Sequence, residues 1–177
     1  MDTQELLDQL NFVEREFRSQ ALALGSDQWH RRPSPDSWSL AEIVTHLIEV
    51  TSSYRPFFEA LRKGSYRTPL LGFVPGYPVF MGKMLKESIH PNSRRRSKTF
   101  PIWEPRDSKY IPDQPMLDAF ISSQNELKDW IQHTPSSQWN CILRSPASAI
   151  VVYPLSAAFE IMVLHQLRHL EQAKRIW

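Results

Sequence analysis

Three histidines carry the most specific chemistry that this sequence offers. His165 and His169 stand four residues apart, so an α-helix would place both rings on one face, one turn apart. His46 lies in a separate helical pattern. If the two helices are neighbours, three imidazole nitrogens meet. Imidazole favours zinc, nickel, iron or copper over calcium or magnesium, and three protein ligands leave a coordination position for water or substrate.

An alternative is that each histidine is an ordinary core residue whose ring is satisfied by a backbone carbonyl. The four-residue spacing of His165 and His169 favours a pair of metal ligands over that alternative. No H-E-x-x-H motif is present, because Gln166 follows His165, so a zincin protease is not supported. The other histidines fall in predicted loops or at a helix end, and we do not expect them to be ligands: His30, His90 and His133.

The sequence pattern does not identify which residues would be catalytic. Glu49 lies one turn beyond His46 and is either a base or ligand-orienting group, or a solvated helix residue. Gln172 lies three residues beyond His169 and either orients a ring, binds substrate or packs between helices. Cys141 is the sole cysteine and falls in a predicted loop with no base beside it, so we do not expect a nucleophile there.

Four amphipathic segments position the histidines, each with apolar residues at steps of three and four. The first covers residues 3–24. The second begins at the S-x-x-E capping box of Ser39 and Glu42 and ends near Gly64, with a kink expected at Pro56. The third covers about residues 114–132, and Pro154 opens the last. The three histidines occupy core-facing positions. The pattern predicts an all-α four-helix bundle, with residues 1–177 as a single domain.

Residues 64–115 differ in composition, because eight of the fourteen prolines and four of the five glycines fall there. We expect a long Pro/Gly-rich insertion between helices two and three, with one short helix near residues 79–88, that shapes a pocket. A basic run within it is either a solvated loop or an anion site: Arg94, Arg95, Arg96 and Lys98. Residues 149–153 are rich in β-branched side chains and predicted to be extended.

The bulk composition indicates a globular protein. The chain has 177 residues, 41% hydrophobic and 23% charged, with a formal net charge of +2. No recognised motif supports nucleic-acid binding. The acidic start does not resemble a signal peptide, and no apolar run reaches the length of about eighteen residues needed to span a bilayer, so we expect no membrane partner. A single cysteine fits a reducing compartment, so we expect a cytoplasmic protein.

Two blocks resemble the DinB/YfiT-like superfamily. The block from Trp29 to Leu47, with Pro33 and residues 38–47, is similar to its W-S-x-x-E-I-x-x-H-L entry to helix two. The series His165, His169, Gln172 is similar to its closing helix. The resemblance implies a four-helix bundle that carries a divalent metal, zinc or nickel, on His46, His165 and His169. Relatives include thiol transferases that use bacillithiol or mycothiol, and a maleylpyruvate isomerase, and many are dimers. Arg168 departs from the pattern, because many members have another histidine there.

These observations together predict a metal-dependent enzyme that activates a thiol or water for attack on a small electrophilic substrate, as a transferase or a hydrolase. A low-molecular-weight thiol is a candidate cosubstrate, and a homodimer is a candidate assembly. Two alternatives remain. One is a non-catalytic bundle that binds metal or dimerises. The other is a nucleic-acid-binding or anion-binding protein that uses the basic run.

Overall fold

The fold is mostly helical, and the computed structural model describes residues 1–93, 99–105 and 113–176. The helices are α1 (Thr3–Ala23), α2 (Ser26–His30), α3 (Leu40–Ser53), α4 (Arg55–Arg62), α5 (Tyr77–Ile89), α6 (Asp113–His133) and α7 (Leu155–Ala173). Helices α1 and α3 each pack against both α6 and α7, which makes a four-helix bundle. The structure thus has the four main helices that the sequence pattern predicted.

Helix α3 starts where the sequence predicted. The amide of Glu42 donates to Oγ of Ser39 at 3.2 Å, and Oε2 of Glu42 accepts from the amide of Ser39 at 2.9 Å, so the capping box is formed. Arg32 adds a second anchor, because its guanidinium binds both carboxylate oxygens of Glu42. The start of the helix that carries His46 is therefore fixed by a cap and an ion pair.

The predicted second helix is interrupted rather than continuous. A turn at Tyr54 separates α3 from α4, and Pro56 lies in the first turn of α4, where its missing N–H costs nothing. Gly64 then adopts a left-handed conformation with a φ of 65°, just after α4. The kink expected at Pro56 is thus a break between two helices.

The core consists of two groups of buried apolar residues. One group includes Leu10, Leu127 and Phe159, and the other includes Phe17, Phe120 and Leu170. Between them along α6 and α7 lie two buried amides: Gln124 donates to Oε1 of Gln166 at 2.6 Å. This polar layer joins the two helices in the middle of the bundle.

The segment between α4 and α6 contains α5 and two 3₁₀ turns, Leu70–Phe73 and Pro101–Trp103. Helix α5 packs against α7, and it covers the short helix that was predicted near residues 79–88. The basic residues of the predicted anion site lie outside the described part of the chain: Arg94, Arg95, Arg96 and Lys98.

A short antiparallel ladder was not predicted. Strand β1 (Ile142–Arg144) pairs with β2 (Val152–Pro154), with Leu143 opposite Tyr153. The expectation of extended backbone at residues 149–153 therefore holds at its C-terminal end, but the expectation of a purely α-helical chain is too strict. The partner strand has only three residues, which is too short for a periodic pattern to be recognised. Among the described residues, no helix is both long and apolar enough to cross a bilayer.

Candidate metal centre

The structure brings together the three histidines that the sequence singled out. His165 and His169 project from one face of α7, and their Nε2 atoms lie 3.1 Å apart. His46 reaches this pair from α3, with its Nε2 atom 3.2 Å from Nε2 of His165. One ring nitrogen from each residue lies within 4.8 Å of the other two. The predicted neighbourhood of the two helices is therefore present, and α3 contacts α7 directly.

Two of the rings are held by hydrogen bonds on their far side. Nδ1 of His46 lies 2.7 Å from the carbonyl oxygen of Trp103, and Nδ1 of His169 lies 2.9 Å from Oε1 of Gln172. Because both oxygens only accept, each Nδ1 must carry the proton and donate it. Each Nε2 of these neutral rings therefore presents a lone pair toward the cluster. This outer arrangement is the one that metal-ligating histidines use to fix their tautomer.

The distances between the nitrogens suit a single cation. Tetrahedral nitrogen ligands at 2.0–2.1 Å from zinc lie roughly 3.3 Å from one another. In the absence of a cation, two lone pairs would face Nε2 of His165, and one N–H can make only one well-aligned bond. A cation among the three nitrogens would satisfy all of them, so His46, His165 and His169 fit a divalent metal.

Burial keeps the rings in the form that binds metal. His46 and His169 expose 2% and 9% of their surface, whereas His165 is half-buried. Burial lowers the pKa of His46 below its ordinary value. Burial lowers the pKa of His169 to about 3. Burial also lowers the pKa of His165 well below its usual range, and positive charge on His169, His46 and Arg168 lowers it further. The imidazoles are therefore neutral near pH 7, as ligation requires.

Trp38 forms one wall of the cluster. Its ring stacks on His169 at an interplanar angle of 10° and a centroid distance of 5.9 Å, and it lies 4.9 Å from the ring of His46. Trp38 is the first residue of the W-S-x-x-E-I-x-x-H-L pattern at residues 38–47, and no role at the site was predicted for it. Its position one residue before the cap of α3 was the available signal.

Arg168 does not join the cluster, although it lies between two of its histidines in sequence. Its guanidinium donates to the backbone carbonyls of Ser88 and His90, both at 3.3 Å. These carbonyls belong to the C-terminal end of α5, where a positive charge is stabilising. Arg168 thus joins α5 to α7, and its charge helps to lower the pKa of His165 and His169.

The other candidates lie elsewhere. Glu49 is half-buried on α3, and its Oε2 atom is shielded from solvent. Cys141 is half-buried in the turn before β1. Within the described ranges, the grouping of possible metal ligands consists of the three cluster histidines alone, and the remaining histidines lie at helix ends: His30, His90 and His133. The carbonyl of Trp103 was missed, because a backbone acceptor 57 residues from His46 leaves no mark in the sequence.

Most of the chain matches a known protein-family model. A model of the DinB superfamily matches residues 9–173, a span that includes all three histidines and every bundle helix in whole or in large part. The chain belongs to the DinB superfamily. The resemblance noted in the sequence is thereby confirmed.

Among solved structures, this DinB chain is similar to YfiT from Bacillus subtilis, described as a probable metal-dependent hydrolase with an unusual four-helix bundle topology. The TM-score is 0.63 and the sequence identity 14%, over 98% of this chain and 85% of YfiT. At that identity the likeness establishes the fold. A comparison with curated proteins gives no match.

Proposed function

We propose that this DinB protein is a metal-dependent enzyme in which His46, His165 and His169 hold one divalent ion, zinc or nickel. The observation that carries the proposal is the convergence of three Nε2 atoms, two of which are fixed as lone-pair donors by hydrogen bonds at Nδ1. The reaction class is attack by water or by a low-molecular-weight thiol on a small electrophilic substrate.

The metal, when bound, would supply a Lewis acid that lowers the pKa of a water or thiol at its open position. The protein contributes three neutral ligands, so the positive charge of the site is not compensated by a ligating carboxylate. The carbonyl of Trp103 and the amide of Gln172 keep two rings in position. Of the three histidines, His165 is the one that is not fully buried, so we expect a substrate to reach the cluster from its side.

Hydrolysis and thiol transfer are both compatible with three neutral ligands. The description of YfiT as a probable hydrolase supports water as the nucleophile. A thiol cosubstrate rests on the family resemblance alone. A panel of esters, amides and alkylating electrophiles, assayed with and without bacillithiol or mycothiol, separates the two. Turnover that needs the thiol identifies a transferase, and turnover without it identifies a hydrolase.

Metal analysis of the purified protein tests the site itself. We expect about one divalent ion per wild-type chain and a large loss of bound metal in His165→Ala. His133→Ala is a matched control, because His133 is an exposed histidine at the end of α6. Equal metal content in wild type and His165→Ala would refute the proposed ligands.

A second candidate function is a non-catalytic bundle in which the metal is structural. One observation favours it: the cluster joins α3 to α7, so an ion there would crosslink two bundle helices. In that case, chelation would lower the thermal midpoint and no chelator-sensitive turnover would appear in the substrate panel. Homodimer formation and cytoplasmic location stay predictions.

A further inference from the structure

Large apolar side chains are exposed to solvent on the segment between α4 and α6. Leu70 and Phe73, in the 3₁₀ turn, expose 88% and 72% of their surface. Soluble monomers rarely expose several such residues together, and an exposed apolar cluster marks an interaction surface. Ile150 of the β1–β2 hairpin is also exposed, and its carbonyl accepts a hydrogen bond from Tyr77 of α5. We call these seven residues the apolar patch: Leu70, Phe73, Val74, Val79, Phe80, Met84 and Ile150.

The patch is carried by a packed scaffold. The 3₁₀ turn contacts both α5 and β2. A Cβ atom on Gly72 would lie only 2.8 Å from Cγ2 of Thr68 and 3.1 Å from Cγ2 of Ile142, so the turn is pressed against the β1–β2 hairpin. On the other side, Oη of Tyr77 donates to the carbonyl of Ile150 at 2.8 Å. The apolar side chains therefore project from fixed backbone.

The charge around the patch is mostly positive, although the exposed Glu87 lies one turn beyond Lys83 on α5. No acidic residue occurs between Glu59 and Glu87, whereas this stretch contains five cationic residues in a chain whose net charge is only +2. Two of the five pair with acidic side chains elsewhere, Arg62 with Asp129 and Lys86 with Glu160. The three others are exposed: Lys63, Arg67 and Lys83.

We propose that the apolar patch binds the surface of an anionic lipid bilayer. Projecting Leu, Phe and Met side chains flanked by Lys and Arg are what interfacial binding requires, and no spanning helix is involved. A second copy of the chain is a poorer occupant, because two-fold pairing would bring two cationic segments together. This proposal is independent of the metal site, and it departs from the sequence-based expectation of no membrane partner.

Sedimentation with lipid vesicles tests the proposal directly. The full chain is mixed with vesicles of phosphatidylcholine alone, or of phosphatidylcholine with phosphatidylserine, at low and at high salt. We expect co-sedimentation with the anionic vesicles, at least tenfold weaker binding to the neutral ones, and weaker binding as salt increases.

Variants separate the apolar and the charged contributions. Leu70→Ser with Phe73→Ser should lower the partition coefficient at least tenfold, with Phe100→Ser plus Ile102→Ser as the matched control at other exposed apolar residues. Arg67→Glu with Lys83→Glu should also lower it at least tenfold. The control with the same change in net charge is Arg31→Glu plus Arg175→Glu, at exposed positions outside the cationic stretch.

Three outcomes would overturn the proposal. Two come from sedimentation: the wild-type chain does not bind anionic vesicles, or the Leu70→Ser, Phe73→Ser variant still binds them. Light scattering provides the third: a dimer that this variant dissociates, without vesicle binding, would assign the patch to a second copy. Circular dichroism of each variant verifies the fold, and the substituted side chains are exposed, so we expect it to be unchanged.

Discussion

His169 donates its Nδ1 proton to Oε1 of Gln172, three residues further along α7, at 2.9 Å. A single helix thus supplies a candidate metal ligand and the group that orients it. Because the hydrogen bond fixes the tautomer, the lone pair at Nε2 always faces the cluster. Groups of this kind typically change metal affinity by 10- to 100-fold when they are removed.

Replacement of Gln172 by Leu should therefore weaken zinc binding by about 10- to 100-fold. Gln172→Glu is the matched variant, since a carboxylate accepts the same proton and should retain affinity close to that of wild type. Competition with a chromophoric chelator measures both affinities. An unchanged affinity in Gln172→Leu would show that the hydrogen bond does not serve metal binding.

The ion pair at the start of α3 predicts a pH dependence of stability. Burial by itself would raise the pKa of Glu42, but hydrogen bonds from Arg32 and Ser39 and the charge of Arg32 outweigh it and hold the pKa below its ordinary value. The folded state consequently binds fewer protons than the unfolded state near pH 4. The stabilisation is fully present above the ordinary carboxyl pKa of about 4.3, and it is lost as the pH falls through the lowered value.

The variant Glu42→Gln should lower the free energy of unfolding by about 1 kcal/mol at pH 7, since Arg32 is half exposed and the pair is partly screened. Urea titrations from pH 7 to pH 3 measure the difference from wild type, which should shrink below about pH 4. Glu87→Gln, at an exposed position on α5, should show almost no difference at either pH. A difference for Glu42→Gln that persists undiminished in acid would refute the role of its charge.

The amide pair in the core predicts a coupling between α6 and α7. Gln124→Leu leaves Oε1 of Gln166 without its donor, and Gln166→Leu leaves Nε2 of Gln124 without its acceptor. Each change should lower the free energy of unfolding by about 1–3 kcal/mol, whereas the double variant should cost less than the sum. A double-mutant cycle by urea denaturation measures the coupling, and strictly additive costs would contradict it.

Much of the site could be predicted because its donors lie on regular helices. The spacing of His165 and His169 determines their common face once α7 forms, and the capping box of Ser39 and Glu42 sets the start of α3. The core-facing position of His46 was also predicted, and His46 meets the pair because α3 packs against α7. In each case a local sequence pattern predicted the geometry of a helix, and that geometry is unchanged when the helix packs into the bundle.

The contacts that could not be predicted are long-range or involve the backbone. The carbonyl that orients His46 comes from a 3₁₀ turn in an irregular segment. The bond from Arg168 to the end of α5 depends on how that helix docks, so the sequence suggested only a missing histidine. The strands β1 and β2 are three residues each, and their pairing arises from tertiary packing around Tyr153, whose hydroxyl bonds to that of Tyr54.

The central claim is that three histidines bind one divalent metal. A crystal grown with zinc or nickel, with anomalous data collected at the edge of that metal, tests it most directly. We expect one strong anomalous peak within about 2.0–2.2 Å of an Nε2 atom from each of His46, His165 and His169. A map without a peak at these nitrogens, or with its strongest peak at other residues, would contradict the account.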